Sequence, residues 1–262
     1  MKRIAVIALA VVLCGALVGL TGCYRQELPE NQKINWGFLD HERVASGDTI
    51  NRNVTVPLED AETLDASIRM GVGELRLEAG GSDALQADFE YRPASLKPEV
   101  SYDVASGGTS VGNLTVEQPD QSGFPFNNAT NIWDLELAKD IPLDLTVDLG
   151  AGESDLLFGG LGLRSLTMNM GAGDTTLDFS GDWDHDVTGQ VQAGIGQLTF
   201  KLPANVGARV FTHNAGIGEV VADQGFTENN GVFVNRAYGE TTTTIEISVQ
   251  RGIGEVKLET VR

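Results

Sequence analysis

Two stretches, Gly150-Ala-Gly-Glu-Ser-Asp-Leu-Leu and Gly171-Ala-Gly-Asp-Thr-Thr-Leu-Asp, decide the fold of this chain. Each is a Gly-x-Gly followed by a short segment of strand-forming residues. Copies of the same pattern begin at Gly71, Gly194, Gly216 and Gly252. From Gly150 to Gly216, successive copies start 21, 23 and 22 residues apart. Such regular spacing predicts one structural unit that is repeated along the chain.

Each unit combines a bend with two strands. Glycine reaches positive φ without a Cβ clash, so Gly-x-Gly predicts a bend or bulge at a fixed place. After the bend, apolar Leu75 and Leu77 alternate with charged residues, which is the period of a strand with one buried face. A second alternating segment precedes most of the bends, as in 143–149. The unit is therefore strand, glycine bend, strand and turn.

A unit of this length cannot close a hydrophobic core alone, so neighbouring units have to stack. We therefore expect an all-β fold, a right-handed parallel β-solenoid whose rungs of about 22 residues each contain one Gly-x-Gly. A twisted β-sandwich built from the same units is the alternative.

From Leu143 to the end, the order and spacing of several motifs resemble a known family. The motifs are Val147-Asp-Leu-Gly-Ala-Gly-Glu-Ser-Asp-Leu, Leu163-Arg-Ser-Leu-Thr-Met-Asn-Met-Gly-Ala-Gly-Asp, Leu202-Pro-Ala-Asn-Val-Gly-Ala-Arg-Val and a late Gly-Ile-Gly strand. They are similar to the toast-rack domain of bacterial envelope proteins, related to the C-terminal domain of LiaF-type cell-envelope stress proteins. The resemblance implies a β-helical body and a non-enzymatic envelope role.

The first 22 residues have the pattern of an export signal. Lys2 and Arg3 precede an apolar run, and Leu20-Thr-Gly-Cys23 closes it. This ending resembles the bacterial lipobox, which implies that Cys23 is acylated and anchors the protein to a membrane. An ordinary secretory signal or an uncleaved anchor are the alternatives. Tyr24, where Asp would signal inner-membrane retention, favours the outer membrane if the host has one.

The predicted organisation has four parts. Residues 1–22 form the lipoprotein signal peptide and 23–53 a polar, lipid-anchored tether. Residues 54–142 hold degenerate N-terminal β-repeats, and 143–262 form the toast-rack β-repeat domain. Cys14 and Cys23 are the two cysteines, so the mature body has no disulfide framework, cysteine metal site or cysteine nucleophile.

The charge of the chain excludes one class of function. The formal net charge is −19, and without residues 1–22 there remain 16 Lys and Arg against 37 Asp and Glu. Such an excess repels nucleic acid and anionic lipid headgroups, so nucleic acid is excluded as a partner.

Acidic residues follow the glycines at Glu74, Glu153, Asp174, Glu219 and Glu255, and stacking in register would align them in a column. Calcium prefers several oxygen ligands, but position 197 is Gln, and an acidic row facing solvent is the simpler interpretation. The segment Asp182-Trp-Asp-His-Asp186 resembles the start of a calcium loop but has Val187 where Gly is needed. We interpret it as a turn between rungs.

No catalytic motif is present. His41, His185 and His213 share no ligand spacing, and the sequence contains no nucleophile elbow, zinc-binding helix or phosphate loop. We therefore expect no catalytic, cofactor-binding or metal residues, and lipidation at Cys23 as the one modified site.

The expected function is that of a non-enzymatic, lipid-anchored structural or interaction module of the cell envelope, in envelope-stress response or adhesion. Its expected partners are the membrane, through the lipid, and an envelope protein or cell-wall polymer. A calcium- or carbohydrate-binding, or polysaccharide-acting, solenoid is the alternative. Its weakness is the low number of aromatic residues, 17 in all, available to form a sugar cleft.

Overall fold

The computed structural model describes residues 39–44, 49–105, 108–119, 129–213 and 216–262. These residues form seventeen strands and one short 3₁₀ helix, Ala94–Leu96. The first nine strands are β1 Leu39–Val44, β2 Ile50–Val56, β3 Thr63–Ala79, β4 Leu85–Arg92, β5 Glu99–Ala105, β6 Val111–Glu117, β7 Thr130–Leu137, β8 Pro142–Leu157 and β9 Gly162–Asp178. The remaining strands are β10 Val187–Gln192, β11 Ile195–Pro203, β12 Gly207–His213, β13 Ile217–Ala222, β14 Phe226–Asn229, β15 Val232–Asn235, β16 Thr244–Gln250 and β17 Ile253–Val261.

Each Gly-x-Gly lies at the middle of a rung and divides it into two arms. The first arm precedes the glycines and the second arm follows them. In β3, β8 and β9 one continuous strand runs through both arms. In the later rungs the glycines separate two strands, as in the pairs β10 and β11, β12 and β13, and β16 and β17.

The six Gly-x-Gly rungs stack by parallel pairing. Along the stack, β3 pairs with β8, β8 with β9, and β9 with β10 and β11. The pair β10 and β11 then adjoins β16 and β17, which adjoin β12 and β13. The prediction of an all-β parallel solenoid is therefore confirmed.

The order of the rungs in space differs from their order in the chain. The last repeat, β16 and β17, inserts between two rungs that are consecutive in sequence. The physical reason lies in residues 226–235. They form the antiparallel hairpin β14–β15, which occupies the outer edge of β12, so the returning chain pairs with the inner edge.

Antiparallel strands protect the first end of the stack. Strand β6 pairs with the first arm of β3, and strand β7 pairs with the second arm. Both strands run parallel to β3. Strand β5 then adds to β6, and β4, β2 and β1 add in turn to β7, all antiparallel. The first described strand, β1, thus lies within the segment assigned to a tether.

The other end of the stack is less protected. Among the described residues, no strand pairs with the outer edge of β13. Ile217, in the middle of the last bend, lies on this edge strand and is 76% exposed. Ile253 and Ile195 stand in register with it on the two rungs behind and are 51% and 59% exposed. An open edge with apolar side chains is a place where another chain can add a strand.

The core lies between the arms and is built from columns of apolar side chains. One column on the first arm contains Ile68, Val147, Met168, Val191 and Val249, all fully or nearly fully buried. A matching column on the second arm contains Leu77, Leu156, Leu177, Phe200 and Leu258. Each rung thus buries the apolar edge of its neighbour, as the period-2 pattern predicts.

Candidate interaction surface

The outward side chains of the first arm also form columns, because residues in register point to the same face. The middle column is polar and uncharged over five rungs and ends in an aromatic ring. In stack order it contains Ser67, Thr146, Thr167, Gln190, Ser248 and Phe211. In an acidic protein, this column offers hydroxyl and amide groups in place of carboxylates.

A groove of about 260 Å³ opens on this column. The ring of Phe211 lines it on the last rung of the column. Its lining residues are Ser165, Leu166, Thr167, Thr188, Gly189, Gln190, Phe211, Glu246, Ile247 and Ser248. Glu246 is therefore the one ionisable side chain in the lining.

Contacts around Arg209 fix both Phe211 and Glu246. The guanidinium carbon of Arg209 lies 4.0 Å from the centre of the Phe211 ring. Arg209 Nη1 lies 3.6 Å from Glu246 Oε1, and Tyr238 donates a hydrogen bond of 3.1 Å to the same carboxylate. The charge of Glu246 is thus partnered within the protein, and the wall of the groove is held in place.

Some polar side chains of this face have hydrogen-bond partners within the protein, among them Ser248, whose Oγ lies 3.0 Å from His213 Nε2, and others do not. On β9, Ser165 donates to Asp144 at 2.7 Å and Asn169 donates to Asp148 at 2.6 Å. By contrast, the side chains of Thr167 and Gln190 are exposed and hydrogen-bond to no described residue. They are free to bind a polar ligand.

On the second arm the predicted acidic column is present. Glu74, Glu153, Asp174, Gln197, Glu255 and Glu219 stand in register across the six rungs. Lys257 lies 3.3 Å from Glu255, whereas Glu74 and Glu153 pair with no described cation. No group of three or more His, Cys, Asp or Glu side chains within the described ranges is arranged to hold a metal ion.

The segment predicted as a turn at 182–186 connects two rungs and contributes to a groove of about 780 Å³. Its acidic side chains are used locally. Asp186 accepts hydrogen bonds from the backbone and hydroxyl of Thr244 at 2.8 and 3.1 Å. A hydrogen bond with His185 lowers the pKa of Asp184. The other ring nitrogen of His185 lies 2.9 Å from the carbonyl of Leu163, so both nitrogens are occupied.

Two residues that belong to no predicted site complete the bend of β3. Gln118 Oε1 accepts hydrogen bonds from the backbone amides of Gly71 and Val72 at 3.0 and 3.2 Å. Asn131 donates to the carbonyl of Val72 at 2.6 Å and accepts from the indole of Trp133 at 2.8 Å. These two side chains satisfy the backbone amides and the carbonyl of the bend, because the neighbouring strands β6 and β7 have no Gly-x-Gly to do so. Their only signal in the sequence is that both are amides flanking the loop after β6.

The lipidation site predicted at Cys23 lies outside the described residues, as does the rest of the signal. Within the part of the chain that is described, no helix has the length and apolar character needed to cross a membrane.

The geometry defines a class: an all-β solenoid whose rungs bend at paired glycines and carry polar columns on their outer faces. A family model described as the N-terminal domain of toast_rack, DUF2154, matches residues 45–201, and the chain belongs to this family. The match begins well before Leu143, where the resemblance in sequence was placed. A comparison with curated proteins finds no match.

A comparison with solved structures finds matches, two of which are as follows. One is described as a "putative cell adhesion protein" from Clostridium sporogenes; it is 26% identical, with a TM-score of 0.74, over 85% of this chain and all of the other. The second is described as a "putative adhesin" from Bacteroides fragilis; it is 12% identical, with a TM-score of 0.32, over 81% of this chain and 98% of the other.

Proposed function

We infer that this protein is a non-enzymatic interaction module on the outside of the cell, of the adhesin type, held to the envelope by a lipid on Cys23. The observation that carries the inference is the similarity, over 85% of this chain, to the Clostridium sporogenes protein described as a "putative cell adhesion protein". The outer faces of the present chain repeat similar side chains from rung to rung, and such faces suit contact with a large or repetitive partner.

The chemistry of the described residues agrees with a binding role. The carboxyl groups whose pKa values are shifted, Asp40, Asp184 and Asp223, each have a structural partner. For Asp223, burial raises the pKa, but hydrogen bonds from the amides of Thr260 and Gly225 outweigh it and the net shift is downward. A catalytic carboxyl group would instead be expected to point into a cleft together with a second reactive group.

The proposed anchor rests on the sequence 1–23. A thiol after Leu-Thr-Gly suits attachment of a diacylglyceryl group, and two or more acyl chains give a stable tether. The partner would be an envelope protein or a cell-wall polymer. The chain's net charge of −19 disfavours anionic polymers among these.

The test compares host cells that carry the wild-type chain, the Cys23→Ala variant or no copy of it. We expect the wild type in the membrane fraction with an acyl label, and the variant in the soluble or secreted fraction. Attachment of cells to polysaccharide- and protein-coated surfaces should fall both on deletion and in the variant. Unchanged attachment in the deleted strain would contradict the adhesive role, and an unlabelled wild type would contradict the anchor.

A further inference from the structure

The groove on the first arm has the chemistry of a site for an uncharged, extended polysaccharide. We propose that Thr167, Gln190 and Ser248 bind successive sugars of a β-linked glycan chain that runs along the stack and ends against Phe211. The proposal rests on the adhesive function inferred above and names the ligand class for one surface of the protein.

The spacing of the groups supports this ligand. Adjacent strands lie about 4.8 Å apart, so equivalent side chains of consecutive rungs repeat at that distance. One hexose unit of an extended β-1,4-linked chain is of similar length. Thr167, Gln190 and Ser248 occupy three consecutive rungs in register, so each can face one sugar. The Ser248 hydroxyl differs from the other two because it lies 3.0 Å from His213 Nε2, and it offers a sugar the hydrogen-bonding capacity that this contact leaves.

The hydrogen-bonding capacity of the column suits sugar hydroxyl groups. A hydroxyl donates and accepts, and an amide offers both donors and an acceptor, so each can match a sugar hydroxyl in either role. The side chains of Thr167 and Gln190 are exposed and have no described hydrogen-bond partner. No such bond within the protein therefore has to break when a sugar binds to them. Ser165 and Asn169, on the same strand as Thr167, are already bound to Asp144 and Asp148.

Phe211 supplies the apolar element that sugar recognition needs. The C–H face of a hexose is apolar and packs on an aromatic ring, which also loses few degrees of freedom on binding. The ring is fixed by the Arg209 guanidinium at 4.0 Å. Among residues that line the groove it is the one aromatic side chain.

Charge selects among glycans. The net charge of the chain is −19, and the one ionisable group in the lining, Glu246, is partnered by Arg209 and Tyr238. A polyuronate or a phosphate-containing polymer would be repelled over the whole approach, whereas an uncharged chain would not.

The experiment measures binding by isothermal titration calorimetry with the full-length chain in a detergent that contains no sugar. The probes are the β-1,4-linked hexamers of N-acetylglucosamine and of glucose, their dimers, and a hexauronate. We expect one or both neutral hexamers to bind at least about tenfold more tightly than the dimer, because more rungs are engaged. The hexauronate should not bind.

Variants locate the site. Thr167→Ala, Gln190→Ala and Phe211→Ala should each weaken hexamer binding at least about threefold, without changing the thermal midpoint by more than a few degrees. The matched control is Thr176→Ala, which removes the same side chain from the same strand but on the second arm, and should leave binding unchanged. If Phe211→Ala lowers the thermal midpoint further, the two polar variants still decide the question.

Absence of binding by both neutral hexamers overturns the proposal, and so does an equal loss in Thr176→Ala or equal binding of the hexauronate. If the hexamers do not bind but attachment of cells still depends on this chain, the adhesive function remains and its ligand is a different one. If neither hexamer binding nor chain-dependent attachment is observed, the adhesive function itself is contradicted.

Discussion

The carbonyl oxygen of Gly73 lies 1.7 Å from the position that a Cβ on Gly152 would occupy. Gly152 stands in register with Gly73, and its φ of 141° belongs to a region that other residues rarely adopt. The same relationship continues from Gly152 to Gly173, where the gap would be 1.8 Å. The glycine column is therefore required by two constraints at once: backbone conformation and close approach of neighbouring rungs.

We expect Gly152→Ala to destabilise the protein by about 3 kcal/mol or more, because the rung must move away from β3 and the backbone remains strained. Urea-induced unfolding of the purified chain, followed by tryptophan fluorescence, measures the change. Gly81→Ala is the matched control, since a Cβ there meets only Gln86 Nε2 at 3.8 Å. Its effect should stay within about 0.5 kcal/mol. Equal losses in the two variants would refute the role of the column.

Asn131 provides the second prediction. Its replacement by Ala leaves the Trp133 indole and the Val72 carbonyl without their partner inside a buried site. We expect a loss of about 2–3 kcal/mol in the free energy of unfolding. Asn113→Ala removes an exposed amide that donates to Asp103 at 3.1 Å, and should cost less than about 0.5 kcal/mol. A comparable small effect at Asn131 would mean that water replaces its hydrogen bonds.

Local features of the sequence were sufficient to predict the rungs. Gly-x-Gly fixes the bend, and alternation as in Leu75 and Leu77 fixes the buried face, because both depend on residues close together in the chain. The acidic column followed from the same register, which the pairing of Glu74 with Glu153 confirms.

Features that depend on distant segments were not predicted. Insertion of 244–261 between two earlier rungs depends on which edge the β14–β15 hairpin covers, and periodicity does not encode that choice. The same holds for β1 and β2, which the polar composition of 23–53 led us to assign to a tether. Arg52 on β2 and Asp40 on β1 are joined by a contact that the sequence does not reveal.

The ion pair between Arg52 and Asp40 predicts a dependence on pH. Arg52 is nearly buried, and its guanidinium donates to Asp40 at 2.9 and 2.8 Å. Hydrogen bonding to Arg52 lowers the pKa of Asp40 below its usual value. Since the pKa is lower in the folded state, the pair stabilises fully above the unfolded value of about 3.9 and loses its effect as pH falls through the folded value.

We therefore expect Asp40→Asn to cost about 1–2 kcal/mol at neutral pH, a figure reduced because the Asp40 side chain is 40% exposed. The difference from the wild type should shrink as pH falls below about 4. Urea unfolding at a series of pH values measures it. Glu117→Gln, which removes an exposed pair with Arg69, serves as the control and should cost less than about 0.5 kcal/mol. A difference that persists at acid pH would rule out the ion pair as its source.

The acidic column yields the last prediction, and it separates a solvent-facing row from a calcium site. Glu153 lies between Glu74 and Asp174 in register, so three carboxylates repel one another at one-strand spacing. Glu153→Gln should raise the free energy of unfolding by about 0.5 kcal/mol at low salt, and the gain should shrink as salt screens the repulsion. Glu240→Gln makes the same change of net charge in a turn away from the column and should give no comparable gain. Calcium chloride should stabilise the wild type no more than sodium chloride of equal ionic strength. A rise of many degrees in the thermal midpoint that is specific to calcium and abolished by Glu153→Gln would show that the column binds the ion.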